Sequence, residues 1–284
     1  MNIDIRPLGE ADLEEADRIF RLAFGTFLGL PDPLRFAEGA DLVASRWRAR
    51  EGTATLGAFE GGRMIGSNIV TRWGTFGFFG PLTVLPSHWD KGVARLLLDR
   101  TTQVFEEWGV RAAGLYTFPQ SPKHLALYQK YDFWPQHLTA IMAKPVATPA
   151  EVTWQFNGPR PALLKGAREV TDGLYPGLDL SGEINSLLDQ KLGEIVVVGS
   201  GDAVDGFAVC HVGPGSEAVP GEAYIKFAAV RPSKANAFGQ LMAACERCAS
   251  DRGVKRLVAG VNAGTPLAYR AMIDLGFRTQ LTGV

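Results

Sequence analysis

A chain whose element order recurs at a near-constant offset has few architectures open to it, and this sequence recurs in that way. Val84 and Val230 lie 146 residues apart, as do Pro86 and Pro232, and 144 residues separate Phe133 from Phe277. Apolar periodicity reads in the same order around both sets of marks. In the first half, 3–7 alternates as a strand, and Leu13, Ala16, Ile19, Phe20 and Ala23 recur at helical spacing. A short helix over 41–50 follows, then strands over 53–60 and 64–73 joined by a Gly61-Gly62 hairpin, and a strand over 76–84. A helix over 92–107, a strand over 115–118 and a helix over 123–131 complete the half. The stretch 143–151 carries two prolines and little apolar content, the composition of a linker. Beyond it come a strand at 152–156, helices at 163–170 and 183–192, and strands at 194–199, 207–212 and 223–230. A helix at 237–250, a strand at 257–261 and a helix at 267–275 close the second copy. The expected organisation is a first domain over 1–144, a linker over 145–151 and a second domain over 152–284.

Charge and composition narrow the partners. The 284 residues carry 29 basic and 30 acidic side chains and are 46% hydrophobic, so each half can bury a core and neither presents a nucleic-acid footprint. A small molecule is the expected partner. The opening Met-Asn-Ile-Asp-Ile-Arg-Pro lacks the basic and apolar regions of a secretory signal, and no apolar run reaches the roughly 18 residues of a membrane span. Three cysteines, Cys210, Cys245 and Cys248, suit a reducing compartment better than a disulfide framework. The expectation is a cytoplasmic protein without membrane or nucleic-acid partners.

Chemistry concentrates in two stretches. In the first, a strand ending Leu82-Thr83-Val84 turns at Pro86, and Trp89-Asp90-Lys91-Gly92-Val93-Ala94-Arg95 opens a helix. Unpaired N–H groups and the helix dipole converge at such a start, where an anion such as a pyrophosphate is held, and glycine lets the backbone come close. A strand, a glycine turn and a helix by themselves also describe many α/β proteins that use glycine only to turn. The second stretch is Leu115-Tyr116-Thr117-Phe118 followed by Ser121-Pro122-Lys123-His124-Leu125-Ala126-Leu127-Tyr128-Gln129-Lys130-Tyr131-Asp132-Phe133.

In this order the two stretches resemble the GCN5-related N-acetyltransferase (GNAT) superfamily. Its phosphate loop reads Arg or Gln, two residues, Gly, one residue, Gly or Ala, and its later helix reads Asn-Pro-x-Ala-x-Ala-Leu-Tyr-Glu-Lys-x-Gly-Phe. The resemblance covers 3–143 and recurs more faintly in the second half. It implies an α/β fold of two tandem GNAT-like domains, each a mostly antiparallel central sheet flanked by helices. It also implies transfer of an acetyl group from acetyl-CoA, or a related acyl-CoA, to a primary amine of a small molecule or peptide, with no metal. The acyl-pantetheine arm would pair with the open backbone of Leu82, Thr83 and Val84. Residues 89–95 would hold the pyrophosphate, Ser121 would flank the site, and Tyr128 would be the general acid for the departing thiolate. Without the resemblance, Tyr128 reads as an amphipathic tyrosine packing near Phe133. Four positions depart from the pattern: Trp89 for Arg or Gln, Ser121 for Asn, His124 for Ala, and Asp132 for Gly.

No general base declares itself. Glu60, Asp32, His88 and His124 are candidates that each also read as ordinary surface residues. Cys245-x-x-Cys248 falls on one helical face with Phe238, Leu241 and Met242, a core stripe with no second ligand pair for zinc. Arg46, Arg48 and Arg50 read as a solvated helix face. Phe20, Phe24, Phe27 and Phe36, with Trp73, Phe76, Phe78 and Phe79, point to core or to an apolar pocket. In the second copy, the 146-residue offset sets Phe238 on Gly92, and Met272 falls on Tyr128, so that copy is expected to be structural or substrate-shaping, with weak or no donor binding. A homodimer is left open, and the rival reading is a non-catalytic acyl-CoA-binding or regulatory protein.

Overall fold

The computed structural model describes residues 2–147, 151–200 and 203–284, and the middle of the expected 145–151 linker lies outside them. The chain divides into two compact units, 1–115 and 116–284.

The first unit comprises β1 (Ile3–Pro7), α1 (Leu13–Phe27), α2 (Val43–Ala49), β2 (Thr53–Glu60), β3 (Arg63–Trp73), β4 (Phe76–Phe79), β5 (Thr83–Val84), α3 (Val93–Glu107) and β6 (Ala112–Gly114). Its sheet runs β1-β2-β3-β4-β6, with β5 pairing β3. All pairs are antiparallel except β4 with β6. The Gly61-Gly62 hairpin forms as its sequence demands, with φ of 55° and 82° that only glycine adopts freely. On one face α1 buries Leu13, Ala16, Ile19 and Phe20 against Phe59 and Met64. On the other, α3 buries Leu97, Leu98, Thr101, Val104 and Phe105, with Phe105 6.4 Å from Phe79.

The second unit comprises α4 (Pro122–Gln129), β7 (Thr139–Pro145), α5 (Arg160–Asp172), α6 (Ser181–Gln190), β8 (Gly193–Val198), β9 (Gly206–Val212), β10 (Glu222–Val230), α7 (Ala237–Asp251), β11 (Arg256–Asn262), α8 (Pro266–Asp274) and β12 (Arg278–Gly283). Its sheet runs β12-β7-β11-β10-β9-β8, with β10 and β11 parallel. The stretch 116–144, grouped with the first copy in the sequence, is therefore built into this unit. β7 sits between β11 and β12, and Thr117 exchanges two 2.9 Å backbone hydrogen bonds with Val284. A core of Met142, Val196, Cys210, Ile225, Leu241, Cys245, Leu257 and Phe277 fills one side of the sheet.

Several local expectations change. The strand expected over 115–118 lies at Ala112–Gly114. The stretch 152–156 forms no strand, and the Trp154 carbonyl takes one bond, from the Val197 N–H at 2.9 Å. The start of the expected linker, 143–145, is the end of β7. The strand expected over 76–84 is broken between Phe79 and Thr83, where Gly80 has φ 133° and Pro81 has no N–H to give a ladder.

Candidate functional site

The break after Phe79 creates the main chemical opportunity in the first unit. β4 pairs β3 on one side and β6 on the other, at Phe76, Gly77 and Phe78. Past the break, β5 keeps only β3, through Ser67 with Thr83 and Gly66 with Val84. The Leu85 N–H reaches the Ile65 carbonyl at 2.9 Å, so alternation along an antiparallel pair turns the N–H and C=O of Val84, and of Leu82 two residues earlier, away from β3. The strand therefore has one open backbone edge. It is held flat on its closed side. A Cβ on Gly66 would meet the Thr83 carbonyl at 2.6 Å, and Ser67 Oγ and Thr83 Oγ1 share a buried 3.0 Å hydrogen bond.

This edge runs into the start of α3. Asp90 and Gly92 both take left-handed conformations, φ 64° and 83°, which coil the loop so that Gly92 caps the helix. Gly92, the N-cap residue, has no side chain with which to cap this terminus, and Lys91, Gly92 and Arg95 are exposed. A Cβ built on Gly92 meets nothing within 4 Å, so the space beside this residue is open. A helix start with its dipole and flanking Lys91 and Arg95 is chemically suited to an anion. Val93 is buried beneath it and Ala94 half-buried. Trp89 turns inward: its indole Nε1–H donates to the Val84 carbonyl at 2.8 Å.

The candidate bases fall in different places. Glu60 Oε2 lies 3.3 Å from His88 Nε2, and His88 Nδ1 lies 3.0 Å from Ser87 Oγ. The chain so formed sits where β5 enters the phosphate loop. Asp32 accepts the Leu34 N–H at 3.2 Å and caps its own turn. Ser121, Tyr128 and His124 belong to the second unit. Ser121 is the N-cap of α4 and accepts the His124 N–H at 3.4 Å. Burial, and next the charge of Lys123, lower the His124 pKa below its ordinary value. Tyr128 sits in the last turn of α4, its pKa pushed up to about 12 by burial and partly offset by a hydrogen bond with Thr117. Asp132, standing where the family pattern has glycine, takes φ 61°.

The aromatic residues separate. Phe20, Phe24 and Phe36 pack together at 5.3–5.4 Å around α1, whereas Trp73 stacks on Phe78 at 5.2 Å on the β3–β4 hairpin. The cysteines are buried: Cys210 Sγ lies 3.8 Å from Cys245 Sγ, and the thiol pKa of Cys210 is raised by that contact and then by burial.

The second copy repeats the opening but not the cradle. β10 pairs β11 from Glu222 to Ile225, bulges at Lys226 and thereafter pairs only β9. Six residues, 231–236, then lead to α7, where eight, 85–92, lead to α3. The residue capping α7 is thus Asn236, in a right-handed conformation at φ −65°, and Phe238 lies inside the helix against the core. This corrects the alignment of Phe238 on Gly92. Lys226, the bulge residue, has its ammonium 2.7 Å from Glu217 and 2.8 Å from Glu183. The sequence reading missed this triad. Its one linear signal is that Lys226 stands 146 residues after Gly80, where the first copy breaks its own strand.

Comparison with known proteins follows this geometry. Residues 17–133 match the model of the acetyltransferase (GNAT) family. No curated protein matches the sequence. Among solved structures, a tandem GNAT protein from the clavulanic acid biosynthesis pathway is similar with a TM-score of 0.63 at 15% identity, over 100% of this chain and 97% of that one. A GCN5-related N-acetyltransferase from Sphaerobacter thermophilus gives 0.61 at 16% identity, over 99% and 94%. A Pyrococcus horikoshii protein provisionally assigned as an acetyltransferase gives 0.66 at 13% identity, over 99% and 87%. Among the described residues no helix is long and apolar enough to cross a membrane. Residues 17–133 thus match the acetyltransferase (GNAT) family model, and the chain as a whole has a fold similar to that of a tandem GNAT protein.

Proposed function

We propose that the chain is an N-acyltransferase that moves an acetyl group from acetyl-CoA, or a related acyl-CoA, to a primary amine of a small molecule or peptide in the cytoplasm. The observation that carries this reading is the continuity of an open strand edge, Leu82 to Val84, with a glycine-capped helix start at Gly92. An extended chain of amides ending in a pyrophosphate fits both: the edge supplies ladder partners and the turn supplies amides and dipole. The bound thioester supplies an activated acyl group. Val93 and Ala94 close the floor of the cradle, and Lys91 and Arg95 add positive charge beside it. Tyr128 is proposed as the hydrogen-bond donor to the departing sulfur and Ser121 as a flanking contact, both from the family motif on α4. Glu60 and His88 bond to each other beside the phosphate loop, which favours a supporting role for both, and water is the simplest relay for the amine's proton. The first copy is the proposed catalytic one.

The rival reading, a non-catalytic acyl-CoA-binding protein, draws on the same pairing, in which Glu60 and His88 bond to each other. Thiol release from acetyl-CoA across a broad panel of primary amines separates them. Amine-dependent release supports transfer. Tight binding with no release by any amine supports the rival.

Replacing Gly92 is expected to weaken the donor specifically. Gly92→Glu forces a non-glycine residue into φ 83° and sets a carboxylate against the pyrophosphate, so acetyl-CoA affinity should fall about tenfold or more while the fold persists. A folded variant with unchanged affinity by calorimetry puts the phosphates elsewhere.

A further inference from the structure

We infer that Trp89 is a built-in cap on the open edge of β5, which acyl-CoA has to displace in order to bind. The inference rests on the proposal that the donor's amide arm pairs along Leu82 to Val84.

Only two carbonyls on this stretch, those of Leu82 and Val84, point away from β3. The Val84 carbonyl is already bonded, to the Trp89 indole N–H at 2.8 Å, a distance typical of a well-formed hydrogen bond. A buried carbonyl on a strand edge loses stability when it has no donor. The indole provides one from within the chain, five residues further on, just before the loop coils through Asp90 and Gly92. The position is the one where the family pattern has Arg or Gln. A flexible basic side chain there can reach outward to phosphate, whereas the half-buried indole turns back along the strand. An incoming amide arm therefore meets a competitor for the carbonyl nearest the phosphate loop. Pairing there requires the ring to swing off Val84, and that movement occurs at the residue leading into the phosphate loop. Trp89 thus couples occupation of the strand edge to the shape of the loop, and it lowers the apparent affinity for donors that pair there. It is a positioning and specificity-determining residue with no part in the bond-making steps.

Calorimetric titration of acetyl-CoA into wild type, Trp89→Phe and Trp89→Leu tests this. Both variants keep apolar bulk and lose the N–H, so losing the competition should tighten binding about 2- to 10-fold, the range set by one neutral hydrogen bond. A second readout is independent of overall stability. The chain has six tryptophans, and the one indole N–H resonance missing from the Trp89→Phe spectrum should move upfield and exchange faster with solvent as acetyl-CoA is added to wild type. Equal or weaker binding by both variants, or an indole resonance that does not respond, overturns the cap while leaving acyl-CoA binding intact. If wild type binds no acetyl-CoA, the cap and the proposed function fall together. Should Trp89→Phe fail to fold, Trp89→Leu and the wild-type spectrum still decide.

Discussion

Tyr128→Phe should lower turnover with an amine acceptor by about 10²-fold or somewhat more, with acetyl-CoA affinity nearly intact. Burial raises the phenol to about 12, above its ordinary 10, so the donor form is complete at neutral pH and is lost only as pH climbs through about 12. The leaving thiolate has a pKa of about 8.5, well below that of the phenol. Full proton transfer to the sulfur is therefore uphill, and the role proposed for Tyr128 is mainly that of a hydrogen-bond donor as charge builds there. Losing such a donor is worth about 10² to 10³ in rate, or about 3–4 kcal/mol of barrier, which is the lower part of the range for general acids. The ring remains in place, so melting should shift little beyond the loss of one hydrogen bond to Thr117. The alkaline limb of the rate below pH 10 should be the same in wild type and variant, since Tyr128 does not titrate there. Turnover within about threefold of wild type would return Tyr128 to a packing role and leave the sulfur to water or Ser121.

The largest expected effect on stability lies in the second unit. Lys226 is 9% exposed and its partners Glu217 and Glu183 are 2% and 12% exposed, so the triad is an ionic network taken out of water. Removing one member of such a network leaves the remaining charges uncompensated, which costs about 3–5 kcal/mol. Lys226→Ala should therefore shift the urea midpoint strongly, and Glu217→Gln less, because the amide retains hydrogen-bonding capacity. Replacing all three with apolar residues of similar size, Lys226→Met with Glu217→Leu and Glu183→Leu, should recover much of the loss. A Lys226→Ala protein as stable as wild type would mean that the site relaxes or admits water, and that the bulge is held by its backbone alone.

Much of the fold was legible because its determinants are local. Gly61, Gly62 and Gly92 stand where positive φ is required, and the apolar stripes of α1 and α3 point to their cores. Expectations failed where the determinant is distant. The alternation at 152–156 has the form of a strand but finds one backbone partner, at Val197. β7 ends in a proline that marks a linker in sequence, yet its pairing with β11 and β12 draws 139–145 into the second sheet, and no local pattern specifies that.

The site divides in the same way. The turn proposed to hold phosphate was readable as a glycine turn into a helix from Gly92 and the residues that follow. A constant offset, however, misaligned its second copy, because the loop there is two residues shorter and only the helix start, Ala237, reveals it. The break at Gly80-Pro81 was hidden inside an apolar run. The Trp89 bond to Val84 and the Glu60–His88 pair depend on where strands meet, which single residues do not report.

The most direct test of the whole account is a calorimetric titration of the wild-type chain with acetyl-CoA. The open edge of β5 leads into a left-handed, glycine-capped turn at Gly92, whereas in the second copy the edge past Lys226 leads to a right-handed Asn236. The predicted result is a single binding event per chain that disappears in Gly92→Glu. Absence of binding, or two equivalent sites per chain, would contradict it.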